Sequence, residues 1–453
     1  MDNVVLARSL FGSSMAFHII FATLGVGIPF MIVLAEIMFQ ATKNNHYAIL
    51  AKRWTKGFAI ILGVAIPSGT IVGVMLSLLF PGFMEIVGQV IAVPFQIEIW
   101  AFLLEALFMS IYVYAADRLP PALRVISVIF VAFGASMSAV LITDAHAWMN
   151  TPRGFDLVDG KVTNVDPIAA IFSPSLATTT THVLSSAYMT GAFIIVSLAS
   201  YKLLSGKRSA EEREFHSRSL LLGLIVGGAF SLFTALNGHA TAQMLHHYQP
   251  EKLAAAEGLF ETTSHAPLAV FGVPNPASGE VEGGLEIPGA LSFLAGNSFD
   301  TVVKGLNEYP RELWPPLYIH TLFNIMVVIG MLLIGLSFGA LIWKFVMKRT
   351  LPKWFLRLLV SSGALSLIGI ETGWIFSCSG RQPWTIYHMQ LTVDAATKTG
   401  NLGLLFGLFL GIYIVLLFVT AIVLRHYFKR HPVTKDLIAH ATSRENNEVQ
   451  TNG

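Results

Sequence analysis

Nine stretches of the chain run long enough in apolar residues to cross a bilayer, and this limits the possible folds more than any other feature. A spanning helix takes about 20 residues, and the runs lie at about 14–39, 55–81, 94–116, 122–148, 176–204, 219–241, 315–345, 354–376 and 402–425. Lipid offers no water to satisfy backbone N–H and C=O groups, so such runs must be helices. Composition agrees: 54% of the 453 residues are hydrophobic and 12% charged, against roughly 25% charged in soluble domains. The expected architecture is an all-α polytopic membrane bundle of about nine transmembrane helices. It forms one transmembrane domain over 1–430, followed by a polar tail, 431–453, expected to be flexible. The first run continues without a small-residue cleavage site and reads as a retained span.

Positive charge sorts the connections between runs. Lys43, Lys52, Arg53 and Lys56 follow the first; Arg118 and Arg124 follow the third; Lys202, Lys207, Arg208, Arg213 and Arg218 follow the fifth. Lys344, Lys348, Arg349, Lys353 and Arg357 follow the seventh, and Arg425, Lys429 and Arg430 the ninth. Positive loops stay on the cytoplasmic side, which predicts an outer N-terminus and a cytoplasmic C-terminus. The long acidic connection, about 242–314, then lies outside, and its length alone marks it as a functional candidate. A net charge of +2 carries no signal for nucleic acid. A single cysteine, Cys378, excludes an internal disulfide and a Cys-x-x-Cys metal site.

Ionisable residues inside spans are costly and mark candidate sites. His18, Glu98, Glu105, Asp144, His146, His182, His320, Met326, Trp374, Cys378 and Arg381 all fall toward the outer ends of their spans, and Glu36 alone lies near an inner end. A transporter would place such groups near the midplane, so this depth favours cofactors or a substrate pocket near the outer surface. Buried His and Met on different helices are the axial ligands of a low-spin haem, whereas a lone His or a carboxylate suits an iron with an open position. Taken singly, each has a plainer role: a buried His as a hydrogen-bonded packing residue, Met326 as core filler, Asp144 and His146 as a mutually satisfied pair, Arg381 as a helix cap. Glu98 and Glu105 lie seven residues apart and share a helix face, which packing does not explain.

On these residues the sequence resembles subunit I of the cytochrome bd-type quinol oxidases. The most specific label is GW-x4-GRQPW from Gly373 to Trp384. PFQIEIWAFLLE at Pro94–Glu105, THVLSSAYMTGAF around His182, FNIM at Met326 and QPEKLAAAEGLFET at Gln249–Thr262 support it. The resemblance implies a bacterial cytoplasmic-membrane enzyme that oxidises quinol near the outer face and reduces dioxygen to water with cytoplasmic protons, generating a proton motive force. It implies three haems: a low-spin haem b, a high-spin haem b, and a haem d or third haem b. It also implies a second many-spanned subunit, with or without a small accessory one. His182 and Met326 resemble the low-spin axial ligands, and His18 the ligand of a high-spin haem. Glu98 and Glu105 resemble catalytic carboxylates beside the high-spin pair. Lys252 and Glu257 resemble the quinol-binding residues, and Trp374 and Arg381 positions packed around the haems.

Two positions depart from the family pattern. Cys378 stands where the family carries a Glu that ligates the second high-spin haem, and its side chain is two heavy atoms shorter. A thiolate ligand, an unligated buried cysteine, and replacement by another side chain such as His388 all stay open. Asn324 in FNIM stands where many members carry Arg. The Asp144-Ala-His146 run is also more polar than the end of a span leads one to expect. The other readings are a haem-binding electron-transfer or sensor protein that has lost oxygen reduction, and a transporter.

Overall fold

The computed structural model describes residues 3–115, 118–206 and 208–439. Among these, nine helices are long and apolar enough to cross a membrane: α1 (Asn3–Thr42), α2 (Asn45–Leu79), α4 (Ala92–Ala115), α5 (Pro121–Asn150), α7 (Leu176–Leu204), α8 (Ala210–Tyr248), α11 (Ile319–Phe345), α12 (Lys353–Ser379) and α14 (Leu402–Arg430). Between them lie shorter helices, α3 (Pro81–Val90), α6 (Pro167–Ile171), α9 (Pro250–Glu257), α10 (Ala290–Gly296) and α13 (Thr392–Ala395). Each expected span corresponds to one long helix. Most run further than expected, because polar turns continue the hydrogen-bond ladder beyond the apolar stretch.

Local chemistry sets several ends. Asn44 caps α2 by accepting from His46 N–H at 3.0 Å. Ser209 and Glu212 form a reciprocal capping box on α8, the arrangement that satisfies two otherwise orphaned helix-start donors. Pro81 and Pro250 begin α3 and α9, where a missing N–H costs nothing.

The bundle is centred on α1, which packs against α2, α5, α7 and α14. One group joins α1, α2, α4 and α5; another joins α7, α8, α11 and α12. The two meet where α1 crosses α7 with backbones in direct contact. A Cβ added at Gly27 would lie 2.3 Å from the Ala187 carbonyl oxygen, and one at Gly191 would lie 2.5 Å from the Gly27 carbonyl carbon. Small residues at such crossings are how helices associate in lipid, where apolar surface gives no net drive. Serines reinforce the packing: Ser337 Oγ donates to Leu224 O at 2.6 Å and Ser197 Oγ to Val360 O at 2.5 Å.

At the end formed by the close of α1 and α4 and the start of α5, Glu36 is not a lone charge. Arg124 grips one of its oxygens through Nε at 3.1 Å and Nη2 at 3.0 Å, and Tyr112 donates to the other at 2.6 Å. Breaking a buried pair of this kind strands a charge, so Glu36 reads as a structural tie.

The long loop starts later than expected, because α8 continues to Tyr248. It is ordered by α9, two small hairpins (Leu268–Val270 with Leu285–Ile287, and Val273–Asn275 with Glu280–Glu282) and α10. The start of the tail is docked as far as the described residues reach. Arg53 bonds Asp436 at 2.6 Å and the His431 carbonyl at 3.0 Å, and Val433 and Leu437 are buried beside α1 and α2. The rest of the tail, like Lys207, lies outside the described residues.

Candidate functional site

His182 on α7 and Met326 on α11 belong to the same four-helix group. Asn237 of α8 holds His182 at Nδ1 through its Oδ1, 3.0 Å away. Met326 lies against α12 at Gly373, where an added Cβ would approach Sδ to 2.9 Å, so the glycine of the GW pair makes room for the thioether. On the other side of the bundle, His18 of α1 is held at Nδ1 by Ser68 Oγ of α2 at 2.9 Å. A Cβ at Gly69 would touch its imidazole at 3.0 Å. In both histidines one nitrogen is anchored by a neighbouring helix, and among the described residues no bond reaches the other.

Glu98 and Glu105 do share a face of α4, and it is turned to α5. Ser138 Oγ donates to Glu98 Oε1 at 2.6 Å. Glu105 is buried where Gly134 brings α5 close, an added Cβ there meeting Glu105 N at 2.9 Å.

The long loop carries Lys252 and Glu257 inward on α9, and both are buried. Lys252 Nζ donates to Ser377 O near the end of α12 at 2.9 Å and lies over the Phe376 ring at 5.4 Å. Burial, with Arg381 nearby, pushes its pKa down to about 7. Neither carboxylate oxygen of Glu257 has a hydrogen-bond partner among the described residues, and burial pushes its pKa up to about 8. Gly258 ends the helix in the left-handed region at φ 67°.

Past α12, the Arg381 guanidinium is buried with Nη1 unbonded, its Nε reaching only Trp384 O at 3.4 Å. Trp374 meets the edge of the His146 ring, centroids 5.4 Å apart. Cys378 is a free, half-buried thiol. Thus Lys252, His146, Trp374, Cys378 and Arg381 gather around one helix end.

Three expectations need correcting. Asp144 and His146 are not a pair: successive helical residues two apart point in different directions, and His146 Nε2 instead meets Ser377 Oγ at 2.9 Å. Asp144 is buried with Oδ1 unbonded among the described residues. His388 is fastened elsewhere, its Nε2 3.0 Å from Glu251 Oε1 and its side chain 54% exposed. His320 has both nitrogens engaged, Nδ1 with Ala256 O at 2.8 Å and Nε2 with Phe271 O at 2.9 Å and the Asn324 amide nitrogen at 3.2 Å.

The sequence reading missed Glu251, which accepts from Tyr387 and His388 and so clasps α9 to the segment after α12. Its place in the Gln249–Thr262 stretch, directly before Lys252, was the available signal. Asn324 also gains a role: its Oδ1 accepts from Phe271 N–H at 2.9 Å, tying the loop to α11.

With this geometry in place, comparison with known proteins is decisive. The model of the family described as cytochrome bd terminal oxidase subunit I matches residues 6–432. The chain belongs to the cytochrome bd terminal oxidase subunit I family. A Bacillus subtilis (strain 168) protein, provisionally named cytochrome bd menaquinol oxidase subunit I, is 59% identical over 438 residues, covering 96% of this chain and 99% of that one. The same strain's cytochrome bd ubiquinol oxidase subunit 1 is 32% identical over 443 residues, with 93% and 94% covered. The bd oxidase structure from Geobacillus thermodenitrificans superposes with a TM-score of 0.90 at 43% identity, covering 95% of this chain and 99% of that chain. As a cytochrome bd subunit I with bacterial relatives and nine long apolar helices, the protein is a multi-pass component of the bacterial plasma membrane.

Proposed function

We propose that this chain is the catalytic subunit of a quinol oxidase, taking electrons from quinol at the long loop and delivering them to dioxygen. The observation that carries the reading is the pairing of two built elements: half-buried histidines with one nitrogen anchored and one left over, and a loop helix that buries a lysine and an unpartnered carboxylate at the end of α12. Family membership, and relatives named as menaquinol and ubiquinol oxidases, support quinol as donor. The name of the 59% identical relative favours menaquinol. The outer N-terminus and outer loop implied by the positive charges place quinol oxidation at the outer face.

The residues present suit haem. His18 and His182 have the anchored-ring arrangement that orients an imidazole toward a metal. Gly69 and Gly373 leave space beside His18 and Met326, and Arg381 is a buried cation short of an anion, as a haem carboxylate would supply. In this reading His182 and Met326 hold a low-spin haem b and His18 a high-spin one, with a further haem, b or d, nearby. When bound, haem would supply one-electron transfer and the site of oxygen reduction.

The chain's own residues do the rest. Glu257, uncharged at neutral pH with its pKa near 8, receives a proton as quinol is oxidised once it has lost its own outward. Lys252, with a pKa near 7, stabilises the negative charge that develops on the quinol oxygen. Glu105 and Glu98, two turns apart on the α5 side of α4, carry protons from the inner face toward the oxygen site. Because those protons cross most of the bilayer while quinol protons leave outside, charge separates without a dedicated pump. A second many-spanned subunit, with or without a small accessory one, completes the enzyme.

Substituting Met326→Leu removes the thioether while keeping apolar bulk. The expected result is loss or displacement of the low-spin haem signal in the reduced-minus-oxidised spectrum of the purified complex. An unchanged low-spin signal would reject Met326 as its ligand.

A further inference from the structure

We propose that His146 of α5 is an axial ligand to a haem iron at the end of α12 that bears Cys378. The proposal rests on the haem-bearing reading above, and it begins with how the buried histidines are bonded. His320 has both nitrogens engaged, Nδ1 with Ala256 O and Nε2 with Phe271 O and the Asn324 amide nitrogen, and His388 is fastened to Glu251 at the exposed surface. His18 and His182 differ from these, each held through one nitrogen by a neutral side chain of an adjacent helix. His146 is likewise held through one nitrogen by a neutral side chain of an adjacent helix, but through Nε2 where those two are held through Nδ1. Its one hydrogen bond is to Ser377 Oγ at 2.9 Å, Trp374 braces the ring at 5.4 Å, and among the described residues Nδ1 has no partner. It is half-buried, with part of its surface facing open space.

The charges around that space point to its occupant. Arg381 is buried with Nη1 unbonded, and Lys252 projects to the same helix end, where its Nζ meets only the Ser377 carbonyl and the Phe376 ring. A buried guanidinium with unused donors costs free energy unless an anion meets it. A neutral imidazole beside two cations is suited to a metal-bearing group that carries its own carboxylates. Cys378 ends two heavy atoms short of where a glutamate carboxylate would reach. The imidazole, held beside residue 377 from the neighbouring helix, fills that role. Its neutral nitrogen takes the place of a negatively charged oxygen, so the site loses one negative charge relative to a carboxylate-ligated haem.

The test uses the purified oxidase complex in wild-type, His146→Gly, His146→Gln and Cys378→Ser forms. The readouts are haem content, ferric electron paramagnetic resonance and magnetic circular dichroism, with and without added imidazole. The expected result for His146→Gly is loss of one haem or conversion of its ferric signal, restored when imidazole is added. The signal assigned to His182 and Met326 should persist, and Cys378→Ser should match wild type. If His146→Gly does not assemble, His146→Gln decides, since it keeps a polar group for Ser377 while removing the imidazole. Wild-type signals in the histidine variants, or their loss in Cys378→Ser alone, would overturn the proposal. Wild-type protein devoid of haem would instead reject the function proposed above.

Discussion

A buried carboxylate with no hydrogen-bond partner is stable only while it keeps its proton, and Glu257 is such a group. Burial raises its pKa to about 8, above its value in the unfolded chain, so the folded state binds this proton more tightly. The stability it contributes is complete below the ordinary carboxylate range and is lost as pH rises through about 8, with a slope approaching roughly 1.4 kcal/mol per pH unit in between. Lys252 acts in the opposite sense. Its pKa is lowered to about 7, so the stability it contributes is present at high pH and lost as pH falls through that value. The difference between wild type and Glu257→Gln therefore isolates the carboxylate. Thermal denaturation of the purified complex across this range should show the variant gaining on wild type as pH rises, and parallel curves would contradict the assignment. A second residue-scale expectation concerns Arg381. Replacing it with Gln removes a buried cation whose Nη1 lacks an anion in the protein, so the bound haem should become harder to reduce. A potentiometric titration that shows no fall in midpoint potential would separate Arg381 from the cofactor.

Among the elements, the α1–α7 crossing holds the two halves together by backbone contact at Gly27 and Gly191. A Cβ at Gly191 falls 2.5 Å from the Gly27 carbonyl carbon, well inside van der Waals contact, which no rotamer change relieves. Gly191→Val should destabilise the bundle by about 1–3 kcal/mol, the usual scale of overpacking, seen as a lower denaturation temperature and lower yield. A variant as stable as wild type would mean that the crossing is looser than described. The helices themselves were legible because the membrane demands long apolar runs and self-satisfied backbones. Their ends were less so, since polar turns such as those that carry α8 to Tyr248 leave no hydropathy signal. His18 stood out as a candidate through its place in a span, and His182, Met326 and Cys378 through the motifs around them as well. The partners Ser68, Asn237 and Ser377 were not, because each reaches a histidine from a different helix and no spacing in the sequence records that. Asp144 and His146 show the converse, two polar residues close in sequence whose side chains helical geometry sends to different neighbours.

For the whole molecule, bundle and loop are coupled through a few groups. Lys252 joins the loop helix to α12, Glu251 joins it to the segment holding Tyr387 and His388, and Asn324 joins a loop turn to α11. A donor arriving at the loop is thereby connected to the helix end that carries Cys378, where His146 meets Ser377. The family assignment rests on the full length of the chain, and the function proposed rests on whether these sites hold redox cofactors fed by quinol. The direct test is a reduced-minus-oxidised spectrum of the purified complex, recorded together with oxygen uptake driven by a quinol. The account predicts low-spin and high-spin haem bands and quinol-dependent oxygen consumption. Haem bands without oxygen uptake would leave an electron-transfer or sensor protein, and the absence of haem would contradict the account outright.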